Sequence, residues 1–94
     1  MEGKKFDDGK SRLDLIVPEW ELEVGQVLEF GARKYADNNW QKVEGAEARY
    51  YAAARRHMLA YKMGETHDDD SGLTHIAHAS TNLMFLHWFS KGKS

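Results

Sequence analysis

The sequence predicts an all-α protein built from three main helices, and three observations support this fold class. The segment 18–36 repeats apolar residues at helical spacing, and the segment 46–63 contains an alanine run. A third segment, 73–88, is apolar on nearly all sides, which is typical of a helix at the centre of a bundle. The chain has 94 residues, of which 41% are hydrophobic. This size predicts a single helical domain spanning residues 1–94.

The first helix is expected over about residues 18–36 because both of its ends carry helix signals. Pro18 suits the first turn of a helix, where its missing N–H costs nothing. Acidic residues follow Pro18 and basic residues lie near the other end, so both charge groups complement the helix dipole. The preceding residues 1–17 change from polar to apolar. We expect them to form an extended arm, with either a short strand or a segment laid on the core.

The remaining helices are delimited by turn and stop signals. Asp and Asn residues at 37–39 favour a turn before the second helix. Gly64 is a natural stop for that helix, which is expected over about residues 46–63. The third helix is expected over about residues 73–88, and the polar tail 90–94 is expected to fray.

Charge and cysteine content exclude several classes of function. The formal net charge is −2 and the 13 basic residues are spread along the chain, which argues against a nucleic-acid partner. The absence of cysteine excludes disulfides, zinc fingers and thiol catalysis. No apolar run approaches the roughly 18 residues of a membrane span, and no secretory signal is recognisable. A short chain without covalent staples is expected to form a homo-oligomer, a dimer or larger.

A polar stripe crosses the otherwise apolar third helix. His75, His78 and Asn82 are spaced i, i+3 and i+7, so their side chains share one face. Such a stripe faces a pocket, a partner or water. The alternative is a set of core histidines whose hydrogen bonds are satisfied within the bundle.

Carboxylates are concentrated immediately before the third helix, at Glu65, Asp68, Asp69 and Asp70. Acidic residues at this position commonly act as caps and dipole partners. Carboxylate oxygens are also the ligands that Mg²⁺ and Mn²⁺ prefer. Because two histidines follow within a turn, a metal site is the second interpretation of this loop.

Basic and aromatic residues lie together near the ends of the first two helices. Lys34 and Tyr35 end the first helix, Trp40 follows in the turn, and Arg56 and His57 lie near the end of the second. Cations at helix C-termini and packed aromatic rings are structurally ordinary. The same groups suit phosphate binding and stacking on a nucleotide base.

Several strings that run in order along nearly the whole chain resemble one known family. They are Lys5–Lys10, Leu15–Pro18, Phe30–Tyr35, Trp40, Arg56–His57, Gly64–Glu65, Asp68, Ser71–Leu73, His75–Ala79 and Asn82. Together they resemble the small phage-type dATP/dGTP diphosphohydrolases, which are MazG-like members of the all-α nucleoside triphosphate pyrophosphohydrolases. The resemblance implies helical subunits that form dimers or tetramers in the cytoplasm. It also implies Mg²⁺- or Mn²⁺-dependent hydrolysis of a (deoxy)purine nucleoside triphosphate to monophosphate and pyrophosphate.

The resemblance further implies roles for individual residues. The wider superfamily holds its metals on an E-x-x-E pair and an E-x-x-D pair. Here Gln26 replaces the second acid of the first pair, and His75 and His78 replace both acids of the second. The expected metal ligands are Glu23, Glu65, Asp68 and Asp70, the catalytic residues His75, His78 and Asp68, and the substrate-binding residues Lys10, Lys34, Tyr35, Trp40, Arg56, His57 and Asn82.

Two other functions remain open at the level of sequence. The missing superfamily acids favour a protein that binds a nucleotide or a cyclic nucleotide signal and sequesters it without cleavage. A helix bundle with no ligand also fits the composition, although it leaves the polar stripe on the third helix without a purpose.

Overall fold

The first helix, α1, spans Pro18–Lys34 in the computed structural model, which describes residues 3–92. Its start at Pro18 is as predicted, and acidic and basic residues occupy its first and last turns. It ends two residues before the predicted boundary. Tyr35 leaves the helical conformation with a φ of −126°, while its N–H still bonds to the carbonyl of Gly31.

The second helix, α2, spans Ala46–Lys62 and follows a turn that includes the short 3₁₀ helix Asn39–Lys42. Asn38 begins this turn in the left-handed region, with a φ of 59°. Asparagine tolerates that conformation better than most residues, so the predicted turn has its expected chemistry. Gly64 adopts a φ of 102° just beyond α2 and directs the chain away from the helix.

The third helix, α3, spans His75–Ser90, so it begins two residues later than predicted. The delay arises because the preceding residues pair with the loop before them. The N–H of His75 bonds to the carbonyl of Thr66 at 2.9 Å, and Thr74 caps the helix by accepting from the N–H of Ala77 at 3.1 Å. Ser90 ends the helix instead of fraying, and the predicted tail residues 93–94 lie outside the described residues.

The all-α fold class is confirmed, and within residues 3–92 no strand is present beyond one isolated bridge between His67 and Thr74. α3 packs on both α1 and α2, as its apolar composition predicts. Six of its residues are buried: His75, Ala77, His78, Ala79, Thr81 and Asn82. The core is therefore narrow and partly polar. In the same part of the chain, no helix combines the length and the hydropathy needed to cross a bilayer.

An aromatic cluster closes one end of the bundle and comprises Trp40, Tyr50, Phe85, Trp88 and Phe89. The indole ring of Trp40 stacks on Phe85 with a centroid distance of 4.3 Å. The hydroxyl of Tyr50 donates to the main-chain carbonyl of Trp40 at 3.0 Å. This bond ties α2 to the 3₁₀ turn and fixes the position of Trp40.

Tyr50→Phe is expected to lower the free energy of unfolding by about 1 kcal/mol, because it removes that hydrogen bond and leaves the ring in place. Urea unfolding followed by circular dichroism measures the change. Tyr61→Phe is the matched control, since Tyr61 is half exposed on α2. Equal effects of the two substitutions would contradict a stabilising role for the Tyr50 hydroxyl.

The N-terminal segment forms an arm, as predicted, but it is neither a strand nor a segment laid on the core. Residues 3–12 have no helix or strand, and Leu13–Leu15 form a single 3₁₀ turn. Gly9 makes the predicted turn with a φ of 84°. Phe6 and Leu13 are 84% and 70% exposed, so this arm neither pairs as a strand nor packs on the core. Residues 1–2 of the predicted arm lie outside the described residues.

Candidate functional site

The loop that joins α2 to α3 is held by its own main chain. The N–H of Asp68 donates to the carbonyl of Leu73, and the N–H of Gly72 returns to the carbonyl of Asp68, both at 2.8 Å. Gly72 can close this turn because it adopts a φ of 76°, which disfavours residues with a side chain. The loop therefore presents the side chain of Asp68 to the start of α3.

A histidine cluster, formed by His57, His75 and His78, lies between α2 and α3. The Nδ1 atoms of His57 and His75 are 2.9 Å apart. The rings of His57 and His78 stack with a centroid distance of 4.6 Å and an interplanar angle of 11°. His75 and His78 are buried and His57 is partly buried. Three imidazoles thus share one small, poorly hydrated volume.

Asp68 completes a group of potential metal ligands with two of these histidines. Ligand atoms of His57, Asp68 and His75 all lie within 4.8 Å of one another. Among residues 3–92 this is the one group of three or more acidic and histidine side chains close enough to share an ion. We refer to these three residues as the ligand triad.

Ser71 fixes both Asp68 and His78. Its N–H donates to Oδ2 of Asp68 at 2.9 Å. Its Oγ lies 2.6 Å from Nε2 of His78 and accepts from the N–H of Leu73 at 3.1 Å. The Ser71 hydroxyl and Nε2 of His78 thus share one hydrogen bond, which the hydroxyl donates when Nε2 carries no proton and accepts when it does.

Burial and mutual repulsion control the charges of the cluster. Burial, followed by neighbouring His78 and His75, lowers the pKa of His57 from 6.5 to about 4. Burial also lowers the pKa of His78, although Asp68 partly opposes this effect. Burial raises the pKa of Asp68, but the hydrogen bond from Ser71 and nearby His78 outweigh it, so the pKa is lowered overall. Near neutral pH, His57 and His78 are neutral and Asp68 is ionised.

The other carboxylates predicted as metal ligands have separate partners. Glu23 accepts from the hydroxyl of Thr74 at 2.5 Å, which links α1 to the cap of α3. Asp70 pairs with Lys34 at 3.4 Å. Oε2 of Glu65 lies 4.0 Å from Nε2 of His75, beside the ligand triad. Of the four predicted carboxylates, the structure brings only Asp68 into the triad.

A cavity of about 580 Å³ opens beside the histidine cluster, between α1, α2 and α3. His57 and His78 line one part of it, and members of the aromatic cluster line another. Of the predicted substrate-binding residues, the structure brings together on its walls Lys34, Tyr35, Trp40, His57 and Asn82. One cavity therefore offers cationic, imidazole and aromatic groups together.

The polar groups of this cavity differ in how free they are to bind a ligand. Asn82 donates its amide N–H to the carbonyl of His78 at 2.9 Å, which fixes its orientation. The ammonium group of Lys34 lies 5.2 Å from the ring centroid of Phe30, which retains it at the cavity wall. Tyr35 is exposed, whereas one face of Trp40 is covered by Phe85.

Two predicted phosphate-binding residues lie away from the cavity. Lys10 is exposed on the N-terminal arm, and Arg56 is exposed on α2; neither lines the cavity. Arg49 lines it instead. Arg49 was not among the predicted site residues, although its spacing of eight residues from His57 places both on one helix face. Ser71 was not among them either, because a loop offers no periodic signal.

The fold and site define a small all-helical protein with an imidazole-rich ligand triad beside an aromatic-walled cavity. The whole chain, residues 1–94, matches the family described as dATP/dGTP diphosphohydrolase, N-terminal, and it belongs to that family. It is 46% identical over 90 residues to a dATP/dGTP diphosphohydrolase of Salmonella phage PMBT28. That alignment covers 94% of this chain and 30% of the phage protein, so the chain spans under a third of the relative's length. No solved structure matches the chain.

Proposed function

We propose that this chain hydrolyses purine deoxynucleoside triphosphates to monophosphate and pyrophosphate. The cavity carries the proposal, because it places cationic and imidazole groups beside an aromatic wall, and a nucleotide has both a charged and a flat part. Its volume of about 580 Å³ falls within the range of roughly 300–1,000 Å³ usual for small-molecule sites. The name of the phage relative, dATP/dGTP diphosphohydrolase, supports the same substrate class.

The phosphates and the base of a bound nucleotide would occupy different parts of the cavity. Lys34 and Arg49 supply positive charge for the phosphates, and the guanidinium of Arg49 can form two parallel hydrogen bonds. The exposed ring of Tyr35 is available to stack on the base. Asn82, held by the carbonyl of His78, offers its oxygen to a hydrogen-bond donor of the ligand.

The ligand triad is where a divalent ion fits, since its atoms are one carboxylate oxygen and two imidazole nitrogens. When bound, Mg²⁺ or Mn²⁺ supplies positive charge to phosphate oxygens and lowers the pKa of a water molecule. Ionised Asp68 also accepts a hydrogen bond from a water molecule and orients it. His78 lines the cavity with its Nε2 engaged by Ser71, so its ring forms part of the wall beside the phosphates.

A single assay tests this function. The purified full chain is incubated with a mixture of dNTPs, NTPs and cyclic dinucleotides, with Mn²⁺ and separately with EDTA. After denaturation, all nucleotides are resolved by chromatography. Monophosphate and pyrophosphate formed from dATP or dGTP, and lost in EDTA, are the expected result. Full recovery of every nucleotide at high protein concentration would overturn the proposal.

Sequestration of an intact nucleotide is the second candidate. Glu23 accepts a hydrogen bond from Thr74, and Asp70 pairs with Lys34. Few free carboxylates therefore remain to hold a metal ion, which favours binding without cleavage. The same assay separates the two functions. A nucleotide that disappears from the free pool and returns intact on denaturation would support sequestration.

We also propose that the chain functions as a homo-oligomer, because a single copy exposes too much surface. Its accessible area is 7519 Å², whereas a folded monomer of this mass exposes about 5,500 Å². The excess is comparable to the surface that one subunit buries in an obligate dimer. The radius of gyration of 16.4 Å also exceeds the roughly 12 Å expected for this length. Exposed apolar residues include Trp20, Leu22, Met58, Leu59, Leu83 and Met84.

Leu83→Glu is expected to shift the protein towards monomer, since Leu83 is 56% exposed on α3 and a charge there opposes apolar contact. Light scattering coupled to size-exclusion chromatography reports the mass. Ala48→Glu introduces the same charge at an exposed position of α2 and serves as the control. A monomeric wild type at micromolar concentration would contradict the proposal.

A further inference from the structure

Two histidine nitrogens of the ligand triad lie close enough together to bind one metal ion. Nδ1 of His57 lies 2.9 Å from Nδ1 of His75. Imidazole nitrogens bind Zn²⁺ at about 2.0–2.1 Å in tetrahedral geometry, so two of them on one ion lie about 3.3 Å apart. The pair therefore needs to separate by only about 0.4 Å to share an ion. Without an ion, the same contact requires a proton between the two nitrogens.

The third ligand is held on the same side by the loop. Asp68 has its carboxylate oriented by the N–H of Ser71 and lies within 4.8 Å of the histidine ligand atoms. The three ligands come from α2, the loop and α3. Three protein ligands leave coordination positions open for water or phosphate oxygens.

Glu65 occupies a supporting position behind one ligand. Its Oε2 lies 4.0 Å from Nε2 of His75, the ring nitrogen opposite the one that faces His57. A carboxylate beside the far nitrogen of a metal-binding histidine is a recurrent arrangement that orients the ring and raises its basicity. At 4.0 Å this contact is too long for a hydrogen bond, so we expect Glu65 to approach Nε2 of His75 as a positioning residue when an ion binds Nδ1.

The two imidazole nitrogens and one carboxylate oxygen of the triad favour one class of metal ion. Mg²⁺ is a hard ion that prefers oxygen ligands and retains its waters, whereas imidazole suits first-row transition ions. We infer that His57, Asp68 and His75 form a binding site for a divalent transition-metal ion, such as Mn²⁺ or Zn²⁺, in preference to Mg²⁺. The site's part in hydrolysis rests on the proposed function, but metal binding itself can be measured without any nucleotide.

Metal binding by the full chain is measured after chelation and dialysis, with Mn²⁺ as the probe. Electron paramagnetic resonance and calorimetry are expected to show one Mn²⁺ per chain that millimolar Mg²⁺ does not displace. His57→Gln and His75→Gln are expected to weaken binding at least 100-fold, and Glu65→Gln about 10- to 100-fold. His87→Gln is the matched control, because His87 is exposed on α3 outside the cluster.

A second measurement uses only the wild type, so it does not depend on the folding of any variant. In nitrogen-detected imidazole spectra, Zn²⁺ is expected to shift Nδ1 of His57 and His75 and to leave His87 unchanged. Absence of Mn²⁺ binding, displacement by equal Mg²⁺, or Zn²⁺ shifts confined to other histidines would overturn the inference. Hydrolysis with Mg²⁺ but no Mn²⁺ binding would overturn the site and leave the proposed function intact. Metal binding without hydrolysis would leave the metal site intact and overturn the proposed function.

Discussion

Asp68→Asn is expected to reduce kcat/KM for deoxynucleotide hydrolysis by at least about 100-fold. Asp68 is the ionised member of the ligand triad, and an amide cannot replace its charge towards a metal or a water molecule. The amide oxygen can still accept from the N–H of Ser71, so the loop is expected to keep its conformation. Steady-state release of pyrophosphate measures the effect.

Asp69→Asn is the matched control for this substitution. Asp69 is the exposed neighbour of Asp68 and undergoes the same change of charge, so its kcat/KM is expected to stay within about twofold of wild type. Circular dichroism verifies that both variants fold. A comparable loss in the two variants would assign the effect to overall charge and remove Asp68 from the site.

The metal-free protein is expected to lose stability as the pH falls from about 6.5 to 4. The pKa of His57 is about 4 in the folded state and near 6.5 in the unfolded state, so the unfolded state binds more protons in this interval. The contribution of neutral His57 to the free energy of unfolding is therefore complete above pH 6.5, and it declines as the pH falls. Its upper limit is about 3.5 kcal/mol, because one pKa unit corresponds to about 1.4 kcal/mol, and the partial exposure of His57 reduces it.

Denaturant unfolding in EDTA at several pH values measures this dependence. His57→Gln removes the titrating group and is expected to flatten the profile between pH 4 and 6.5. His87→Gln retains the cluster and is expected to keep the wild-type slope. The lowered pKa of His78 acts in the same direction, so some slope remains in the His57 variant. Equal slopes in all three proteins would contradict the assignment to His57.

Local signals in the sequence predicted the helices well, because each helix carries its own start and stop residues. Pro18 and Gly64 lie where the structure begins α1 and turns the chain after α2. The start of α3 was misplaced by two residues, since the main-chain bond from His75 to Thr66 has no signature in local composition. Trp40 illustrates the same limit: its stacking on Phe85 joins residues far apart in the chain.

The sequence indicated several residues of the candidate site, but it did not indicate which of them contact one another. The spacing of His75 and His78 placed both on one face of a helix, and the structure has both buried there. Nothing in the sequence pairs His75 with His57, which lies on another helix. Nor does spacing show that Glu23 bonds to Thr74 while Asp68 meets the histidines. Those contacts depend on how α1 and α2 pack against α3.

The histidine cluster and its loop occupy one continuous stretch of chain, residues 57–78, within the hairpin formed by α2 and α3. Contacts between neighbouring segments require little loop-closure entropy, so they form early when a chain folds. We expect α1 to reach the cluster later, because the bond between Glu23 and Thr74 joins residues far apart in the chain. In pulse-labelled hydrogen exchange, amides of α2 and α3 are therefore expected to gain protection before those of α1. That order of protection would mean that the triad forms before the cavity that α1 completes.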